Sequence, residues 1–227
     1  MITTWPLERP VPPEVLWVNT VRQAAAMALA GLTGERFTER GTRSWTEVPF
    51  GYHAHPPEPT NSGRPWDPAL RVGVPGTAVV IRGKIDRVDL RAGIAVRVTD
   101  YKTSERPENA AATIIAGGAE LQRVLYGLAC RQLLPATPAI RTRLIYLKDE
   151  PAIFVLSDLD GAIAQTATFV NAACDALMRG HAVPGPAAEG RFNDLRLALP
   201  ASPAYFRRKQ AAFTAAAGDL VRFWELP

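Results

Sequence analysis

The order of elements predicted along the chain, αβββαββαα, indicates an α/β protein with a mixed β-sheet flanked by helices. Two runs rich in β-branched residues, 78–90 and 94–102, are separated by a short turn and predict an antiparallel hairpin. Apolar residues at helical spacing follow at 118–134 and 160–178, with two further β-rich runs between them. This alternation of strands and helices favours a sheet covered by helices over an all-α or all-β fold.

The composition is that of a globular protein. Hydrophobic residues make up 47% and charged residues 21% of the 227 residues, which excludes collagen, coiled coils and disordered chains. No apolar run is long enough to span a membrane and residues 1–13 do not resemble a secretory signal, so we expect a cytoplasmic protein with no membrane partner. The net charge of +4 mildly favours a polyanionic partner. The length predicts one domain, 1–227, with its core at about 45–180 and a helical extension at about 190–227.

The segment before the hairpin predicts a helix, a strand and a long loop. The helix covers 14–30 and ends at Gly31, and a short strand follows at 45–50. Prolines and an Asn-Ser-Gly run predict a loop at 51–76. The apolar stripe expected to face the core contains Leu16, Val21, Ala25 and Leu29.

The segment after the hairpin predicts three helices and two strands. Asp158 or Asp160 is expected to cap the second of these helices. Cys130 and Cys174 lie in apolar helical patterns, so we expect buried thiols, and two cysteines are too few for an iron–sulfur cluster held by this chain. The helices are expected at 118–134, 160–178 and 204–224, and the strands at 141–147 and 152–156.

The turn of the hairpin fixes its register. With 91–93 as the turn, Leu90 pairs with Ile94 and Lys84 with Asp100, and even-numbered residues share one face. Near the turn this face is apolar and is expected to be buried: it contains Leu90, Val88, Ile94, Val96 and Val98. The other face, expected to be solvated, contains Arg87, Asp89, Arg97 and Thr99.

Four ionisable residues occupy the open end of the apolar face: Lys84, Asp86, Asp100 and Lys102. Charges at such a position are costly to desolvate unless something compensates them. Asp86 and Asp100 would be diagonal neighbours, about 7–8 Å apart at Cα, and could converge on one Mg²⁺. Lys102 points the same way and could stabilise charge on a phosphate, which is the chemistry of phosphodiester hydrolysis. The spacing is equally compatible with two ion pairs that close the end of a sheet.

Three motifs carry a resemblance to a known family. They are Gly-Lys-Ile-Asp-Arg-Val-Asp at 83–89, Asp-Tyr-Lys-Thr at 100–103, and Gln-x-x-x-Tyr at Gln122 and Tyr126. In this order and spacing they resemble the RecB-type branch of the PD-(D/E)XK nuclease superfamily, over about residues 45–130. The resemblance implies a restriction-endonuclease-like core, with a central mixed β-sheet flanked by helices.

The resemblance also implies roles for individual residues. Asp86 and Asp100 would bind Mg²⁺ or Mn²⁺, and Lys102 would be the catalytic lysine. Gln122 and Tyr126 lie one turn apart on a helix, so they could together hold Lys102 or a substrate phosphate. From the residues alone, Tyr126 could also be a core aromatic and Gln122 an exposed helix residue.

Glu47 lies in Glu-Val-Pro-Phe-Gly at 47–51, which resembles the strand motif that precedes the others in AddB-like nuclease domains. It would add a carboxylate to the metal or to its surroundings, although a strand glutamate facing solvent fits the pattern as well. Relatives often carry a histidine ligand on an upstream helix, and residues 14–30 contain none. His53 and His55 lie in the proline-rich loop, where we expect them to be solvated.

Further basic residues could contact a nucleic acid. Arg207, Arg208 and Lys209 follow two aromatic residues at the start of the last predicted helix, and Lys84 lies beside the acidic pair. A solvated helix face would give the same pattern for the first three. The chain has no phosphate-loop motif, so a helicase working with it would be a separate polypeptide.

Together these observations predict a Mg²⁺- or Mn²⁺-dependent nuclease that acts on single- or double-stranded DNA in repair or recombination. The missing upstream histidine motivates an alternative, a catalytically reduced nucleic-acid-binding or scaffold subunit of a helicase–nuclease complex. A third interpretation is a metal-dependent hydrolase of small phosphoesters, which would cleave a nucleotide monoester but no polymer.

Overall fold

Helices and strands alternate along the chain in a computed structural model that describes residues 5–33, 40–54, 63–148, 150–181, 185 and 203–227. The helices in these ranges are α1 (Trp5–Glu8), α2 (Glu14–Thr33), α3 (Gln122–Leu133), α4 (Leu159–Met178), α5 (Pro203–Ala217) and α6 (Leu220–Trp224). The strands are β1 (Thr42–Phe50), β2 (Val72–Gly73), β3 (Val80–Ile81), β4 (Gly83–Arg91), β5 (Ala95–Lys102), β6 (Ala139–Tyr146) and β7 (Ala152–Val155).

The central sheet has five strands in the order β1-β4-β5-β6-β7. β5 and β6 are parallel and the other neighbours are antiparallel. A parallel pair needs a crossover connection, and α3 supplies it. α3 packs on β5 and β6, and α4 packs on α3. The predicted fold class, a mixed sheet flanked by helices, is confirmed.

The turn of the β4–β5 hairpin begins one residue later than the sequence predicts. The innermost pair is Arg91 with Ala95, which leaves 92–94 as the turn. The Ile94 amide donates to the Arg91 carbonyl at 3.0 Å, and Gly93 takes the left-handed conformation, φ +70°, in the middle of the turn rather than at its end. Ile94 is 47% exposed and not buried as expected.

This difference moves the register by two residues. The predicted pairs of Leu90 with Ile94 and of Lys84 with Asp100 are therefore wrong. A shift of two residues keeps the alternation of faces, so even-numbered residues from Asp86 to the turn still share one face. Before Asp86 the alternation changes, because Ile85 is buried in the same core as Val88. The position opposite Asp100 now falls to Asp86, one residue beyond the last pair of the hairpin.

The opposite face of the hairpin is buried, although its polar residues predict a solvated one. Asp89 is fully buried and accepts hydrogen bonds from Arg87 at 2.9 Å and Arg97 at 3.1 Å. Arg143 in β6, 4% exposed, donates to the Thr99 hydroxyl at 2.8 Å. Two arginines compensate the Asp89 carboxylate, and Arg143 is hydrogen-bonded, so this polar layer can be buried with its groups satisfied.

Helix α2 presents a different face to the sheet from the predicted one. Leu16 and Leu29 of the predicted stripe are 57% and 62% exposed. Gly31 lies within the helix rather than after it, and its lack of a side chain lets the Tyr101 ring and the Leu147 side chain approach closely. The middle of α2 is rich in alanine, so the apolar pattern does not single out one face.

The main core lies between helices α3 and α4 and the face of the hairpin that carries Val88, Val96 and Val98. Asp158 caps α4, its Oδ1 accepting the Gly161 amide at 2.8 Å, as predicted. Cys130 is fully buried as expected, whereas Cys174 is only half-buried. The core includes Val48, Phe50, Trp66, Ile85, Val88, Val96, Val98, Val124, Leu128, Leu156 and Leu159.

The segment predicted as a loop at 51–76 contains a short strand. β2 pairs with β3 in a separate two-stranded ribbon, which is too short to give a periodic signal in the sequence. Gly51, with φ +76°, ends β1 where the chain passes the backbone of Ile81 and Arg82. A Cβ on Gly51 would lie 2.1 Å from the Ile81 carbonyl oxygen, so this crossing requires glycine.

We predict that Gly51→Ala lowers the free energy of unfolding by about 2–4 kcal/mol, because the alanine meets both a left-handed backbone and a backbone clash. Gly93→Ala is the matched control: φ is also positive, +70°, but no atom lies within 4 Å of the added Cβ. It should cost only about 1 kcal/mol. Urea unfolding measures both, and equal losses would contradict the close crossing at Gly51.

Candidate active site

Asp86 lies at a break in the central sheet. Its neighbours Ile85 and Arg87 pair with β1, but Asp86 does not, and pairing with β5 also stops at Arg87. Glu47, the residue of β1 opposite Asp86, has a φ of +52°, a strained value for a residue other than glycine. The Asp86 carboxylate fills part of the gap, since its Oδ2 accepts the Tyr101 amide at 2.9 Å.

Asp100 is the buried carboxylate of the site. Only 2% of it is exposed, and the Lys102 ammonium lies 2.8 Å from its Oδ2. Oδ2 is buried, and among the described residues Lys102 is its partner. Burial raises the pKa of Asp100, Lys102 opposes this, and the carboxylates of Asp86 and Glu120 raise the pKa further. The charged form of Asp100 is therefore destabilised until a further cation approaches.

Lys102 is held from the helix side by Gln122 and Tyr126. The Lys102 ammonium donates to Gln122 Oε1, and Gln122 Nε2 donates to the Tyr126 hydroxyl oxygen at 3.4 Å. The Tyr126 ring packs edge-on against Phe50, with ring centroids 6.1 Å apart. Burial raises the pKa of Tyr126, so its hydroxyl keeps its proton and can donate it in a hydrogen bond.

Glu120 and Arg123 form a buried pair that the sequence motifs did not single out. Glu120 Oε1 accepts the Gln122 amide at 3.0 Å, and Arg123 Nε donates to Glu120 Oε2 at 2.8 Å. Arg123 is 2% exposed and also donates to the Thr113 carbonyl at 2.6 Å and the Phe154 carbonyl at 3.5 Å. The pair thus fixes the start of α3 to its preceding loop and to β7. The one signal in the sequence is a Glu-x-x-Arg spacing, which is common on helices.

Glu47 and Lys84 pair with each other. Their charged atoms lie 2.8 Å apart, and their side chains are 64% and 54% exposed. Contact with the Glu47 carboxylate raises the pKa of Lys84. In the part of the chain that the structure describes, no three acidic, histidine or cysteine side chains are grouped as metal ligands, so Glu47 does not join Asp86 and Asp100 in such a cluster. Its assignment as a ligand and that of Lys84 to nucleic-acid binding remain predictions.

The other candidate residues lie away from this cluster in the fold. Arg207, Arg208 and Lys209 are exposed on α5, which packs mainly on α6. His53 is exposed, with Nδ1 3.2 Å from the Gly51 carbonyl oxygen, and His55 lies outside the described residues. The structure therefore brings together Asp86, Asp100, Lys102, Gln122 and Tyr126, and leaves the three basic residues of α5 as a separate exposed group.

The donor set at Asp86 and Asp100 fits a divalent cation. Among the described residues, Glu120 is matched by Arg123, and Asp86 and Asp100 share the Lys102 ammonium, so this group carries one excess negative charge. Asp100 Oδ2 is a buried oxygen whose partner in this group is that ammonium. Mg²⁺ is commonly held by one or two carboxylates, with water and substrate phosphate completing its shell. Two carboxylates on neighbouring strands are therefore sufficient protein ligands.

A mixed sheet with an acidic pair, a lysine and a glutamine–tyrosine helix face defines the class of metal-dependent phosphodiesterases. The family model of the PD-(D/E)XK nuclease superfamily matches residues 3–217, so the chain belongs to this superfamily. Membership implies a nuclease that binds nucleic acid and uses divalent metal ions. No curated protein matches the chain. Within the described ranges, every helix is too short or too polar to cross a bilayer.

We predict that Asp100 makes the metal-free protein less stable as the pH rises. Its pKa is above the ordinary 3.8 when folded, so the folded state binds this proton more readily than the unfolded state. The resulting stabilisation is complete below the unfolded pKa and is lost as the pH rises through the folded one. Asp100→Asn should therefore reduce this pH dependence in EDTA and unfold at a higher temperature at neutral pH. Thermal unfolding with an unchanged pH dependence in the variant would contradict the burial argument.

Proposed function

We propose that the protein is a cytoplasmic, RecB/AddB-like nuclease that hydrolyses DNA with Mg²⁺ or Mn²⁺ in repair or recombination, and that residues 1–227 form one domain. The observation that supports this most is the convergence of a buried carboxylate, Asp100, with Lys102 and Gln122 on one face of the sheet. Two ion pairs closing a sheet would leave both aspartates with matched partners. Here Lys84 pairs with Glu47 instead, so within the described ranges the two aspartates share the Lys102 ammonium.

Asp86 and Asp100 would hold the metal ion. When bound, the ion supplies a Lewis acid for the phosphate and lowers the pKa of a bound water. The Tyr101 amide fixes the Asp86 carboxylate at 2.9 Å, which orients this ligand before any ion binds. A pre-oriented ligand costs less entropy to order on binding.

Lys102 would stabilise charge on the scissile phosphate. An ammonium has three N–H donors, and the Asp100 and Gln122 contacts occupy two directions, which leaves one for a phosphate or a water. Gln122 holds the lysine because its Oε1 accepts from Nζ while its Nε2 is committed to Tyr126. The Tyr126 hydroxyl accepts that bond and directs its own proton toward a phosphate oxygen.

The remaining basic residues would bind the nucleic-acid backbone. Lys84 lies two residues before Asp86 in β4 and is 54% exposed, so a phosphate could replace Glu47 as its partner. Arg207, Arg208 and Lys209 would contact the strand farther away. In this proposal a helicase unwinds the DNA, since residues 1–227 themselves contain no phosphate-loop motif.

We predict that Asp100→Ala abolishes metal-dependent cleavage of a labelled oligonucleotide, because one of two carboxylate ligands is lost. Lys102→Ala should lower kcat at least about a hundredfold while KM changes little, since its interaction grows in the transition state. Asp160→Ala is the matched control, because this carboxylate is exposed on α4 and pairs with Arg131.

Equal cleavage by wild type and Asp100→Ala, with folding verified by circular dichroism, would overturn the nuclease assignment. Salt-sensitive binding of DNA by every variant without cleavage by any of them would favour the non-catalytic subunit. Cleavage of a nucleotide monoester alone would favour a small-phosphoester hydrolase.

A further inference from the structure

A line of cationic side chains leads away from Asp86 toward the start of β4. Lys84 lies two residues before Asp86 in β4, and Arg82 immediately precedes the strand. Alternate residues of a strand are about 6–7 Å apart, which is close to one nucleotide of an extended single strand. Lys84 is 54% exposed, and Arg82 is exposed. A phosphate backbone starting at Asp86 would therefore meet a cation at each following position.

Tyr52 lies beside this line and contacts its far end. The Arg82 guanidinium is 5.8 Å from the centroid of the Tyr52 ring, within range of a cation–π contact. Within the described ranges, no carboxylate forms an ion pair with Arg82. Lys84 pairs with Glu47 at 2.8 Å, and Tyr52 and Asp86 both lie close enough to Lys84 to interact with its charge, so the four groups share one neighbourhood.

The position of the Tyr52–Arg82 pair is set by the backbone. Gly51 lets the end of β1 cross directly over Ile81 and Arg82. The Tyr52 amide donates to the Pro68 carbonyl at 2.8 Å, which anchors the residue after the crossing. A half-buried ring anchored in this way loses little conformational entropy when a flat ligand stacks on it.

We propose that Tyr52, Arg82 and Lys84 bind one unpaired nucleotide next to the scissile phosphate, with its base stacked on the Tyr52–Arg82 pair and its phosphate on Lys84. Aromatic rings and guanidinium planes stack on any base, so the subsite selects single-stranded nucleic acid without reading sequence. A base in a duplex is paired and stacked on its neighbours, and is not accessible to this pair. The inference rests on the proposed function, because it assigns the path of the substrate strand from Asp86.

The test measures binding separately from cleavage. Fluorescence anisotropy gives the Kd of a labelled single-stranded oligonucleotide for the full chain carrying Asp100→Ala, alone and combined with Tyr52→Leu or Tyr52→Phe. Tyr52→Leu should weaken binding about tenfold, and Tyr52→Phe, which keeps the ring, should remain within about twofold. An abasic oligonucleotide of the same length should bind equally well to the chains with and without Tyr52→Leu, because it has no base to stack.

Trp5→Leu is the matched control, since Trp5 forms a similar contact with Arg9, 5.0 Å from its ring centroid, on α1. It should leave the Kd unchanged. Unchanged binding in Tyr52→Leu, an equal loss on the abasic oligonucleotide, or an equal loss in Trp5→Leu would each overturn the subsite. These outcomes do not depend on turnover: if wild type fails to cleave but Tyr52→Leu weakens binding as expected, the nuclease assignment fails and the subsite stands.

Discussion

Burial of the Asp100 carboxylate at the end of an apolar sheet face is the constraint on which the site depends. The core residues Val96 and Val98 lead directly to Asp100 on β5, so its charge cannot turn to solvent without breaking the packing. Lys102 compensates part of that charge at 2.8 Å. A bound cation would compensate the negative charge that remains. The buried carboxylate therefore destabilises the metal-free protein and serves as a ligand when a metal ion binds.

The fold places the partners of Asp100 by three different means. The β4–β5 register sets Asp86 opposite Asp100, and the break in pairing frees its side chain for the Tyr101 amide. The crossover helix α3 brings Gln122 over β5, where it meets Lys102. The buried Glu120–Arg123 pair fixes the start of that helix, and so acts on the site without contacting the acidic pair.

Periodicity predicted the fold class and the shared face of Asp86, Asp100 and Lys102. The resemblance to a known family implied that Gln122 would hold Lys102 or a substrate phosphate, and the structure shows the contact with Lys102. Alternation along a strand is robust because an error of two residues leaves the faces unchanged. The register depended on where in the three-residue turn the left-handed residue lies. Gly93 fits both the last position, which was predicted, and the middle position, which the structure shows. Asp89 was expected to face solvent because it is charged. The alternation along a strand does not show that Arg87 and Arg97 pair with it in the fold, which allows it to be buried.

A double-mutant cycle on Mn²⁺ affinity tests the central claim most directly. We expect one Mn²⁺ per chain, bound at least about tenfold more weakly after either Asp86→Asn or Asp100→Asn. Both carboxylates would hold the same ion, so removing the second should cost little once the first is gone. The loss of Mn²⁺ binding free energy in the double variant should therefore be well below the sum of the two single losses. Strictly additive losses, or Mn²⁺ affinity unchanged in both single variants, would contradict a shared metal site.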